Sequence, residues 1–359
     1  MSSTQIRLPA EVQFKDELDA LAKDSRPRPH GWRLSPQAAA TYLLGGQAED
    51  GTPISAKYVG SRRLIETAVA TLATDRALLL LGVPGTAKSW VSEHLAAAIS
   101  GDSQLLVQGT AGTDETQVRY GWNYAQLLAH GPSRAALTPT PVMRAMMDGK
   151  IVRVEELTRM GAEVQDTLIT ILSEKVLPIP ELNEAVHAQR GFNLIATANN
   201  RDKGVNDLSS ALKRRFNVVV LPLPASVEEE SGIVSRRVKE LGAGLELPPI
   251  KPAEAEIERV VKIFRELREG RTLDGRLKLK SPSSTLSTAE AIAVTIGAWA
   301  EAGHFGSGAI DADSLAGNLV GAIVKDPVQD AVVLQEYLET VVRERADWRD
   351  LYNAMKEVI

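Results

Sequence analysis

Between Tyr58 and Leu223, short apolar runs alternate with longer stretches in which apolar residues recur every three or four positions. The runs at 77–81, 104–108, 151–154, 192–197 and 217–221 are each bounded by polar or turn residues. Strands without in–out alternation are those buried on both faces, so these runs predict a parallel sheet with helices on both faces. The intervening helices fall at 89–99, 141–147 and 164–172. Upstream, residues 11–23 have amphipathic spacing, Pro27, Pro29 and Gly31 break it, and Ser35 reads as the cap of a second helix. Residues 45–53 read as a loop. Downstream, Pro222 and Pro224 end the alternation, and two capping boxes, Ser226-Val227-Glu228-Glu229 and Ser287-Thr288-Ala289-Glu290, open helices in a segment that stays helical through 328–345 and 348–359. The pattern therefore predicts a helical extension over 1–50, an α/β domain over 51–224 and an all-α domain over 225–359.

Composition narrows the partners. The 359 residues are 44% apolar and 24% charged, the range of a globular chain with room for more than one core. Net charge is −5, and aromatics make up 4%. Both disfavour a nucleic-acid partner, although a local basic stripe in an oligomer's pore stays open. Without cysteine there is neither a disulfide framework nor a thiolate metal site. The N-terminus lacks a signal-peptide pattern, and no apolar run reaches the ~20 residues of a membrane span, so a cytoplasmic protein is expected.

The chemistry begins where the first strand ends. Gly82-Val83-Pro84-Gly85-Thr86-Ala87-Lys88-Ser89 links an apolar strand to a helix that Trp90 continues. Small residues let successive N–H groups curl around a phosphate, and the helix N-terminus adds partial positive charge. Lys88 would reach the β- and γ-phosphates and Ser89 would ligate Mg²⁺. Ala87 replaces the usual glycine, which is tolerable if that residue is already helical. The third strand ends in Glu155-Glu156: the first acid can hold a metal's hydration shell, and the second, on the other face of the pleat, can polarise a water. A solvated strand end is the plain alternative. The fourth strand ends at Asn199-Asn200, where an amide would sense the γ-phosphate, or where Asn199-Asn200 before Arg201-Asp202 simply turns. Residues 208–216 read as a short helix whose cations Lys213, Arg214 and Arg215 either complement its dipole or reach a neighbouring subunit. Arg153 interrupts an apolar strand on the same face as Glu155, so it reads as a buried ion-pair partner ahead of a nucleotide contact.

These residues resemble AAA+ ATPases of the MoxR family, in the clade with a helix-2 insert. The likeness runs from Val59 to Phe216, with weaker support through the helical lid. It implies an AAA+ P-loop sheet followed by a lid, with ATP and Mg²⁺ as cofactors. By position, Lys88 and Ser89 fall on Walker A, and Glu155 falls on the Walker B acid with Ser89 as its metal-binding companion. Glu156 falls on the catalytic glutamate, Asn199 on sensor 1 and Arg215 on the arginine finger. Tyr58, Val59 and Gly60 match a segment that packs on adenine, and Val83 to Trp90 form the nucleotide loop and helix start. Residues 122–140 would be the helix-2 insert and 175–189 the pre-sensor-1 hairpin. The likeness further implies a homo-oligomeric, hexameric ring, a chaperone role and a von Willebrand factor A-domain partner. It departs at Glu155, one methylene longer than aspartate. It departs again at sensor 2: Ser281-Pro282 is followed by serines, leaving Lys278 or Lys280 as electrostatic substitutes. A nucleic-acid translocase of the same clade and a low-turnover ATP-switched scaffold are the competing expectations.

Overall fold

The computed structural model describes residues 5–199, 206–251 and 253–359. The five apolar runs form one parallel sheet of Ala77–Gly82 (β1), Leu106–Gln108 (β2), Ile151–Glu155 (β3), Asn193–Asn199 (β4) and Phe216–Val220 (β5), in the order β5-β1-β4-β3-β2. Asn199 pairs with Gly82 and Gln108 with Glu155, so the chemistry-bearing ends of these strands lie along one edge of the sheet.

Alternation along each strand feeds two cores. Leu78, Leu80, Ile151, Ile195 and Val219 pack into one, which includes Leu18, Leu34, Tyr42, Leu43 and Ile54 from the N-terminal segment. Ala77, Leu79, Val152, Val154, Leu194 and Ala196 enter the other, with Met143, Leu168 and Ile171. Each fully buried leucine or isoleucine contributes about 1.5–3 kcal/mol relative to exposure. The helices covering the sheet are Arg62–Leu72, Lys88–Ser100, Pro141–Asp148 and Ala162–Glu174.

The chain divides into two compact units, one of Arg7–Val83 with Ala87–Pro222 and one built mainly from Leu223–Ile359. Residues 7–50, expected as an extension, thus share a unit with the sheet. The helix expected over 11–23 breaks at Phe14 (φ −110°, ψ 31°) into Ala10–Gln13 and Lys15–Leu21. There the Phe14 ring meets the edge of His94 and lies under Lys57. Ser35 caps Pro36–Leu44 as its chemistry suggests, accepting from the Ala38 N–H. The expected loop at 45–53 carries a two-residue ladder, Gly46–Gln47 against Pro53–Ile54.

Two excursions leave the sheet. Tyr120–Trp122 pairs with Leu137–Pro139 and frames the helix Tyr124–His130, while Val176–Ile179 and Glu184–His187 form a hairpin. In the second unit both capping serines accept from the N–H three residues on. Fully buried Glu230 accepts from Arg265, Arg268 and Thr288, so its charge is matched. The pattern expected over 328–345 becomes the helix Gln329–Tyr337 and then a single wide turn, Leu338–Val342. No helix among the described residues is long and apolar enough to cross a membrane.

Candidate nucleotide and metal site

β1 leads into the loop from Gly82 to Ser89 expected to bind phosphate. Gly85 sits at φ 83°, where an L side chain is strained. Ala87 does too: it is left-handed (φ 62°, ψ 23°) and precedes the helix Lys88–Ser100. The expectation that it is already helical is therefore corrected. An L-residue there costs roughly 1–2 kcal/mol, which the loop's turn imposes. Lys88 is buried, and its ammonium donates to the carbonyls of Gly82 at 3.0 Å and Val83 at 3.1 Å. A buried ammonium at the start of a helix, directly after a loop of small residues, is the type of group that recognises a phosphate oxyanion.

Ser89 donates to Glu155 Oε2 at 2.7 Å. Thr197 on β4 donates to the same oxygen at 2.6 Å. Ser92 donates to Oε1, and the Arg153 guanidinium reaches Oε1 at 2.9 Å. Burial alone would raise the Glu155 pKa; the Arg153 charge and the three hydroxyl donors outweigh it and hold the carboxyl below its ordinary range. An ionised carboxylate paired with a hydroxyl offers hard oxygen ligands, the donor type Mg²⁺ takes alongside phosphate oxygens, so these residues fit that ion. Among the described residues no cluster of three or more His, Cys, Asp or Glu is arranged to hold a metal.

Glu156 does not continue the pleat to its other face, as the alternation suggests. It turns left-handed (φ 55°, ψ 45°) and ends β3. Thr197 supports that turn, because its hydroxyl oxygen accepts the Glu156 N–H at 3.1 Å. The Glu156 carboxylate then meets Asn199 Nδ2 at 3.0 Å and Arg159 Nε at 3.6 Å. Lys88, Ser89, Glu155, Glu156 and Asn199 thus converge at the ends of β1, β3 and β4. Of the turn alternative, Asn199 closes β4, and Asn200, Arg201 and Asp202 lie outside the described residues.

Other expected residues sit differently. The Trp90 indole N–H donates to the Lys57 carbonyl at 2.8 Å and its ring packs on His94, so this side chain fastens the segment holding Tyr58 to the loop's helix. Tyr58 is buried, Val59 half-buried and Gly60 exposed. The helix expected over 208–216 shrinks to Ser210–Lys213, leaving Arg214 and Arg215 in the turn beyond it. Arg215 is half-buried and donates to Ser173 Oγ at 2.8 Å and the Ala211 carbonyl at 2.6 Å. Arg214 is exposed. Lys280 pairs with Glu336 on the surface of the helical unit.

Thr197 and Ser92 were not singled out by sequence. The signal for Thr197 was a hydroxyl at an interior position of an otherwise apolar strand. For Ser92 it was the i+3 spacing from Ser89, which returns the helix to the same face.

A parallel sheet of this order, with a loop of small residues ending in Lys88-Ser89 after β1 and paired acids closing β3, is the arrangement of the AAA+ class. Residues 77–216 match the AAA domain of the dynein-related subfamily, and residues 228–359 match the YehL-like AAA+ ATPase C-terminal domain. The uncharacterized protein YehL of Escherichia coli K12 is 43% identical over 360 residues, covering 97% of this chain and 96% of its own length. The chain belongs to the YehL-like family of AAA+ ATPases. An uncharacterized protein of Staphylococcus haemolyticus is 25% identical across 60% of this chain and 77% of its own. The crystal structure of NtrX from Brucella abortus in complex with ADP aligns at a TM-score of 0.50 and 15% identity, over 83% of this chain. The chain spans 64% of that protein, and the likeness is one of fold.

Proposed function

We propose that this chain hydrolyses Mg²⁺–ATP within a homo-oligomeric ring and works as a MoxR-type remodelling ATPase on partner proteins. The observation that carries the reading is the convergence of Lys88, Ser89, Glu155, Glu156 and Asn199 on one edge of the sheet. Loop N–H groups and Lys88 would hold the phosphates, and Ser89 with Glu155 would hold the metal. Mg²⁺ held there would supply neutralisation of the phosphate charge. Glu156 accepts a proton from the attacking water as a new O–P bond forms and the bond to the bridging oxygen of ADP breaks. Asn199 holds Glu156 in position and can reach the γ-phosphate.

Arg215 supports a role in trans. Its present acceptors are uncharged, so a phosphate of a neighbouring subunit's nucleotide would compete well for it. The MoxR likeness supports a six-membered ring and a von Willebrand factor A-domain partner. A second reading, a slow ATP-switched scaffold, draws on Glu156 being held by both Asn199 and Arg159.

The test is subunit mixing. Glu156→Gln is expected to bind ATP and assemble without hydrolysis, because an amide cannot take the water's proton. Arg215→Ala is expected to lose about 10³–10⁵ in rate while still binding nucleotide. Rings mixed from the two contain interfaces with an intact Glu156 and an intact Arg215, and should regain activity. Mixed rings that co-assemble and stay silent would refute the finger.

A further inference from the structure

Glu155 is one methylene longer than the aspartate common at this position of P-loop proteins, and that methylene adds a torsion to a group that must meet a metal's shell. Mg²⁺ tolerates little departure from octahedral geometry. The chain answers with a guanidinium. Arg153, two residues earlier on β3, is 5% exposed. Its Nη2 donates to Glu155 Oε1 at 2.9 Å and to the backbone carbonyl of Ser89 at 3.1 Å. Its Nε donates to Ser92 Oγ at 3.0 Å, and its Nη1 to the Ser103 carbonyl at 3.0 Å. One rigid plane therefore fixes both the acid and the backbone of Ser89, whose hydroxyl donates to that acid.

We propose that Arg153 is a positioning residue that locks Ser89 and Glu155 into a single metal-binding unit and compensates for the longer acid. The assignment rests on the ATPase reading of the same site. Arg153 acts through Ser89, Ser92 and Glu155, the three residues of the site that its guanidinium holds. None of the four hydrogen bonds named above reaches Gly82 to Lys88, so losing Arg153 should weaken metal-dependent binding and leave metal-free binding nearly unchanged.

The experiment titrates the full-length chain with a fluorescent ATP analogue, with EDTA and then across a Mg²⁺ series. Arg153→Met should leave metal-free nucleotide affinity within about twofold. It should raise the Mg²⁺ concentration for half-maximal enhancement by about 10–100-fold, the usual loss for an outer-shell partner. The double variant Arg153→Met, Glu155→Asp, with the shorter acid on an apolar strand, should recover most of that loss. Arg153→Lys keeps the charge and the fold but not the fork, so it should still show the metal-specific defect. Equal weakening with and without Mg²⁺, full function of Arg153→Lys, or no recovery in the double variant would each overturn the assignment. A wild-type chain that binds no nucleotide would overturn the ATPase reading and this assignment with it.

Discussion

Replacing Thr197 with valine removes one oxygen from the centre of the site and almost no volume. The residue is fully buried on β4, and its hydroxyl joins two elements, donating to Glu155 at 2.6 Å and accepting the Glu156 N–H at 3.1 Å. A hydrogen bond to a charged group contributes about 1.5–3 kcal/mol, and a buried N–H left without a partner costs about 1–3 kcal/mol. Glu155 keeps Ser89, Ser92 and Arg153, which softens the first loss, and Glu156 is half-buried, which softens the second, so we expect a net destabilisation of about 3 kcal/mol. Because the chain has two compact units, a single unfolding midpoint would mix them. Amide hydrogen exchange on peptides covering 151–160 and 193–199 reads the sheet directly. A loss of that size should speed exchange there by about 10²-fold or more, up to the limit set by local opening. Thr197→Ser retains both hydrogen bonds and loses a methyl group, so it should sit much closer to wild type. Valine exchanging like wild type, or serine costing as much as valine, would refute the account.

Two further outcomes follow from the same geometry. Ala87→Gly relieves a left-handed alanine worth roughly 1–2 kcal/mol and adds chain entropy worth roughly 0.5–1 kcal/mol, so slightly slower amide hydrogen exchange is expected in peptides covering the helix Lys88–Ser100; faster exchange would mean that the turn is not strained. Glu155 has a lowered folded-state pKa, so its stabilisation is present above its ordinary value of 4.5 and is lost as pH falls through the folded value. Acid unfolding followed by circular dichroism should accordingly be less steep in Glu155→Gln, and an unchanged acid limb would show that this carboxyl does not drive it.

What could be read from sequence was whatever depends on local pattern. Runs such as 77–81 and 151–154 announced buried strands because no polar residue interrupts the first and only Arg153 the second. Lys88-Ser89 after such a strand announced phosphate chemistry. The capping serines at 226 and 287 were legible because their partners lie three residues on. Backbone handedness was not. Ala87 and Glu156 both adopt left-handed conformations that neither residue favours, because the surrounding loop and the Thr197 hydroxyl hold them there. The break at Phe14 was equally hidden, since it arises from a ring docking against His94, far along the chain. Arg153 lay between these cases: its burial called for a partner, but alternation could not show that it also binds the Ser89 carbonyl and Ser92.

The central claim is that this chain cleaves ATP at the Lys88–Glu156 site. Steady-state phosphate release, measured on wild type and on Lys88→Ala purified side by side, tests it most directly. We predict Mg²⁺-dependent release from wild type and none from Lys88→Ala, which should also fail to bind ATP because the phosphates lose their charge partner. Wild type that binds ATP but releases no phosphate as an assembled ring would contradict the claim, as would equal release from both proteins.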